Sequence, residues 1–136
     1  MRYLARREYS RVELRAKLRP HVQEGDDLEA VLDDLAQRNW LSDERAAEQL
    51  VNQRRSRFGT RRIAHELRRK GIDENLIDAA LPQLKESEFE AARVVWQKKF
   101  GALPQDAKEK SRQVRFLQSR GFSMESIFDL FKSGDS

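Results

Sequence analysis

The chain has 136 residues, 37% of them charged, a formal net charge of +4 and no cysteine. That length fits one domain, the missing thiols exclude disulfides and thiolate metal centres, and no apolar run is long enough for a membrane span or a leader peptide, so a soluble cytoplasmic protein is expected. The positive charge is concentrated: Arg54 to Lys70 holds eight cations against the single acid Glu66, a local balance of +7 that leaves the rest of the chain at −3.

Apolar residues recur at helical spacing along nearly the whole chain, and no segment alternates like a strand. The spacing predicts helices over 2–8, 10–19, 26–38, 42–57, 60–70, 73–81, 87–100, 107–120 and 123–132, an all-α protein of nine short helices. Three starts have capping-box spacing: Ser10 with Glu13, Asp26 with Glu29, and Ser87 with Glu90. Gly71 and Gly121 stand where helices end, and Pro82 is expected to end another because it has no amide to donate. The stretch GALPQDAK reads as a longer loop.

Four turns share one pattern. An apolar residue precedes Ser or Asp, and apolar residues follow four and eight positions on: Tyr9, Ser10, Leu14, Leu18; Leu41, Ser42, Ala46, Leu50; Ile72, Asp73, Ile77, Leu81; Phe122, Ser123, Ile127, Phe131. The Ser or Asp caps the free amides, and the apolar residue before it staples onto the following helix. Leu4, Ala36, Leu67 and Leu117 are expected to close the back of each contact. Such units cannot bury an apolar face alone, which predicts an elongated tandem array of three three-helix repeats, near 1–38, 42–84 and 87–132, within a single domain.

Catalytic signals are weak. His21 and His65 lie in different segments with no carboxylate at ligand spacing, and there is no phosphate loop or dinucleotide fingerprint, so no enzyme activity, metal or cofactor is expected. The basic stretch is the stronger feature. On a helix over 60–70, Ile63, Ala64 and Leu67 share one face while Arg61, Arg62, His65 and Arg69 take the opposite one, with Arg68 and Lys70 on the flanks. Arg54, Arg55 and Arg57 lead into it. These nine residues are the candidate binding surface for phosphates or for a cluster of acids, because guanidinium forks suit both. The aromatic residues Tyr9, Trp40, Phe58, Phe89, Trp96, Phe100 and Phe122 fall at staple or core spacing and are expected inside. The acids Glu24, Asp26, Asp27, Glu29, Asp33 and Asp34 read as charge complementing a helix start.

The segments YLARREYSRVELRAKL, LAQRNWLSDERAAEQLV, RFGTRRIAHELRRKGID and RFLQSRGFSMESI together resemble the RecX family of bacterial regulatory proteins that modulate the RecA recombinase. The resemblance spans essentially the whole chain. It implies three-helix repeats, a non-enzymatic role, and binding to RecA and its nucleoprotein filament that restrains ATP hydrolysis, strand exchange and coprotease activity in DNA repair, recombination and the SOS response. It also implies DNA binding, single- or double-stranded and sequence-nonspecific. Members usually carry more residues ahead of the motif matching RYLARREYSR, so the first bundle is expected to lack part of its opening helix. A monomer is expected, with no membrane partner. Two other readings stay open on the residues alone: a DNA-binding helical-repeat protein, and a solenoid scaffold for an acidic protein. Whether the basic face meets DNA or RecA is not decided by spacing.

Overall fold

The computed structural model describes residues 7–134, which contain seven α-helices, one short 3-10 helix and no strand. They are α1 (Arg11–Leu18), the 3-10 helix Arg19–His21, α2 (Leu28–Gln37), α3 (Asp43–Arg54), α4 (Thr60–Arg69), α5 (Glu74–Lys99), α6 (Ala107–Ser119) and α7 (Met124–Gly134). The all-α class agrees with the sequence. The count of nine does not, for two reasons. The helix expected over 2–8 falls mostly outside the described residues, and those expected over 73–81 and 87–100 are one helix.

Pro82 lies inside α5 and does not end it. Proline there removes one hydrogen bond, to the carbonyl of Asp78, and both residues are exposed, so water can serve the freed carbonyl. The helix is held through the proline by burial on either side: Ile77 and Leu84 before and after it, then Ala91, Ala92 and Trp96. Ser87 is consequently no cap. Its hydroxyl donates to the carbonyls of Gln83 and Leu84, both at 3.3 Å, as a mid-helix serine does.

Ser10 and Glu13 form the expected capping box. Ser42 and Asp106 likewise cap α3 and α6, accepting from the amides of Arg45 at 3.2 Å and Glu109 at 2.8 Å. The Asp26 and Glu29 pairing is displaced by one residue: Asp27 caps α2 through the amide of Ala30, and Asp26 accepts instead from the amide of Gln23. Glu29 is drawn away by Arg15 at 2.7 Å and Arg11 at 3.1 Å, whose guanidinium groups hold its pKa down to about 2.

Two apolar clusters share α5 as a spine of about 39 Å at 1.5 Å per residue. One gathers Leu50, Val51, Ile63, Leu67, Ile72, Ile77 and Leu84; the other gathers Ala91, Ala92, Trp96, Leu117, Phe122, Ile127 and Leu130. Leu67 and Leu117 are fully buried behind their turns, and each carbonyl accepts the amide five residues on, from Ile72 and Phe122. Leu67→Ala is expected to cost about 2 to 5 kcal/mol in denaturant unfolding, since it empties the centre of the first cluster.

Two expected core positions are overturned by a single extra residue. In the turn before α3 it is Leu35, six residues back, whose carbonyl accepts the amide of Leu41, and Asn39 takes the left-handed φ of 63°. The turn therefore has one residue more than those at Gly71 and Gly121. Trp40 is that residue, pushed out to 68% exposure with the Arg38 guanidinium over its ring, and Ala36 is exposed while Leu35 takes the inner position.

Candidate nucleic-acid interface

Good helix formers fill α4, and its apolar stripe seats Ile63, Ala64 and Leu67 in the core, so Arg61, Arg62, His65, Arg68 and Arg69 are left exposed on the other side. The helix has no side-chain cap of its own, because Gly59 occupies the N-cap position. A glycine is needed there: a Cβ would stand 2.3 Å from the carbonyl oxygen of Gly121. The Gly59 amide donates to the carbonyl of Arg120 at 2.8 Å, so the start of α4 is locked onto the turn between α6 and α7.

Glu88 completes the lock from α5. This buried carboxylate accepts from the amide of Thr60 at 2.9 Å, from the amide and hydroxyl of Ser123 at 3.2 and 2.8 Å, and from the hydroxyl of Ser126 at 2.6 Å. It caps α4 and the start of α7 at once. Burial pushes its pKa up, but the Ser126 hydroxyl, the Thr60 amide and the Ser123 hydroxyl together bring it below the ordinary carboxylate value.

The same docking recurs one unit earlier. The Ser10 hydroxyl, at the cap of α1, donates to the carbonyl of Lys70 at 2.6 Å, and a Cβ on Gly71 would meet the Val12 side chain at 2.3 Å. Lys70 and Arg120 thus hold equivalent places before their turn glycines.

Between α4 and the end of α6 lies a cleft of about 750 Å³ lined by Arg54, Arg57, Phe58, Arg61, Arg62, His65, Glu66, Arg68 and Arg69, with Gln118, Ser119 and Gly121 on the far wall. Seven of the nine sequence candidates meet there. The other two do not: Arg55 forms the end of α3, and Lys70 turns to the earlier unit, where its ammonium pairs with Glu13 at 2.7 Å. Within the cleft Arg54 is tied to Glu66 at 3.2 Å and Arg68 to Glu74 at 2.7 Å. Arg57, Arg61, Arg62 and Arg69 pair with no carboxylate among the described residues, and neither do Arg19, Arg55, Arg115 and Arg120, whereas Arg11, Arg15, Arg38, Arg45, Arg93 and Arg112 all do.

Phe58 forms part of the wall and packs on the first core cluster. Guanidinium groups surround its ring: Arg62 at 4.2 Å, Arg120 at 5.4 Å and Arg57 at 6.0 Å from the centroid. Arg120 also lies 5.1 Å from the ring of Phe116, so it stands between two aromatic residues. Sequence reasoning missed Arg120. Its signal was the repeat itself, since it occupies the position of Lys70.

Among the described residues no three His, Cys, Asp or Glu side chains are placed to hold a metal, and no helix is long and apolar enough to cross a membrane.

Comparison with known proteins agrees with this architecture. Residues 42–81 match the family model described as RecX, second three-helix domain, and residues 86–131 match RecX, third three-helix domain. Proteins called Regulatory protein RecX are similar throughout: that of Herbaspirillum seropedicae is 46% identical over 133 residues, 98% of this chain and 86% of the relative. The one from Chromobacterium violaceum is 45% identical over 131 residues, 96% of this chain and 85% of the relative. A crystal structure of RecX from Lactobacillus salivarius superposes with a TM-score of 0.79 at 23% identity, covering 98% of this chain and 90% of that one, a likeness of fold.

Proposed function

This chain belongs to the RecX family of regulatory proteins, and from that premise we propose that it binds RecA and the RecA–DNA filament and restrains the recombinase, its ATPase and its coprotease activity, with no catalysis of its own. The observation that carries the contact surface is the set of four arginines gathered in one cleft, Arg57, Arg61, Arg62 and Arg69, which have no carboxylate partner among the described residues. A charged face kept only for solubility would mix its signs. Here the neighbouring acids Glu66 and Glu74 are already engaged, and the four guanidinium groups, two of them resting against the ring of Phe58, keep their donors for phosphates of filament-bound DNA or acids of the recombinase.

The deciding measurement is the DNA-dependent ATPase of RecA on single-stranded DNA with increasing amounts of this protein, repeated with DNA in excess. Inhibition well below the amount that covers the DNA supports a filament regulator. Inhibition that vanishes with added DNA would instead mark a sequence-nonspecific DNA-binding repeat protein. Replacing Arg61, Arg62 and Arg69 together by alanine should leave helicity and melting close to the parent while weakening filament binding several fold. Inhibition and salt slope both unchanged in that variant would remove the cleft from the contact.

A further inference from the structure

The cleft is made by two units that meet at one backbone hydrogen bond, from the Gly59 amide to the Arg120 carbonyl. The cations lining it come from the end of α3 and from α4, and one more, Arg120, stands outside the lining against the ring of Phe58. Arg57 and Arg62 approach Phe58 from the segment that ends α3 and begins α4, and Arg120 approaches the same ring from the end of α6. Like charges therefore converge across the junction, and the ring of Phe58 between them presents a negative face that offsets part of the repulsion. On the other side of the junction, Glu88 binds the starts of α4 and α7 together.

We propose that this junction is a clamp closed by phosphate: a run of phosphates seated in the cleft takes guanidinium forks from α4 and from Arg120 at the same time, and so ties the third helical unit to the second. The proposal rests on the cleft being the contact surface, and it specifies the ligand as a phosphodiester strand. The candidate cations lining the cleft are six arginines and one histidine, with no lysine, which favours fork recognition. A carboxylate can accept two guanidinium groups, as Glu29 does from Arg11 and Arg15, but its acceptors lie in one plane. A phosphate has acceptors in several directions and can take forks from both walls, which is what closing the clamp requires. By linkage, a ligand that bridges the junction stabilises it, and a tighter junction binds the ligand better. Arg120 is on this view a binding residue and the coupling residue together.

The test uses the whole chain and a short abasic oligodeoxynucleotide, which offers phosphates without bases. Amide hydrogen exchange is followed at Gly59, Thr60 and Ser123, with and without the oligonucleotide, and binding is measured against salt. Exchange at these three amides should slow on binding. In Arg120→Gln the salt slope should become shallower by about 0.7, one single-strand phosphate contact, and the slowing at Gly59 should disappear. Arg120→Lys keeps the charge and loses the fork; it should retain the slope and protect Gly59 less, and it carries the test if the glutamine variant does not fold. Unchanged exchange in the parent despite binding, or full protection in both variants, overturns the clamp. Equal protection by polyglutamate overturns its assignment to phosphate. If the oligonucleotide does not bind at all the clamp falls, while the RecA ATPase assay, which does not depend on it, still decides the wider reading.

Discussion

Glu88→Ala is expected to destabilise the protein by about 3 kcal/mol or more at neutral pH, measured by denaturant unfolding. Glu88 is 7% exposed as a residue, and its carboxylate accepts four hydrogen bonds from the starts of two helices. Alanine leaves the Thr60 and Ser123 amides without this partner, and a hydrogen bond to a charged group contributes roughly 1.5 to 3 kcal/mol, while the serine hydroxyls can turn toward water. Glu88→Gln should cost less, because one amide oxygen still accepts although the new NH₂ faces donors. The effect should also depend on pH with a definite sign. Glu88 has its pKa lowered on folding from an ordinary value of 4.5, so the unfolded chain binds its proton first as pH falls. Its contribution is complete above that ordinary value and declines as pH drops through the lower folded value. The gap between parent and Glu88→Ala should therefore narrow in acid. A gap that stays constant from about pH 7 to about pH 3 would mean that folding does not lower the pKa of this carboxyl.

Gly59→Ala is expected to open the same junction from its other side. The new methyl would fall 2.3 to 2.5 Å from the carbonyl of Gly121 and the amide nitrogen of Phe122, all backbone atoms that cannot rotate away. The φ of −82° at Gly59 is ordinary for any residue, so the whole cost is the close approach. Overpacking usually costs about 1 to 3 kcal/mol, and backbone against backbone belongs at the upper end. Because the strain can be relieved by moving α6 and α7 away from α4, loss of protection at the Gly59 amide should accompany the loss of stability. Parent-like melting and exchange would show that the two units do not meet as described.

Both variants act at a place that spacing could not locate. The face of α4 was legible because Ile63, Ala64 and Leu67 repeat at the helical period and the arginines fill the remainder, a pattern local to ten residues. The Ser10 box and the fully buried Leu67 and Leu117 behind their turns were legible for the same reason. Trp40 was not, since a single inserted residue moves a side chain from core to solvent while leaving the apolar pattern around it intact. Pro82 misled because its rule concerns one hydrogen bond, and long-range burial along α5 outweighs that bond.

The sequence by itself determined the helical class, the family resemblance, and which face of α4 carries free charge, because each rests on neighbours within a few turns of the chain. Tertiary structure alone decided which charges remain free, since pairing depends on acids from other helices: Lys70 is taken by Glu13 and Arg54 by Glu66, while Arg57, Arg61, Arg62 and Arg69 are left open. It also decided that Arg120 and Glu88 belong to the same junction, through contacts such as that of Glu88 with Ser126, 38 residues away. Such contacts leave no periodic trace, because they are fixed by how whole helices dock.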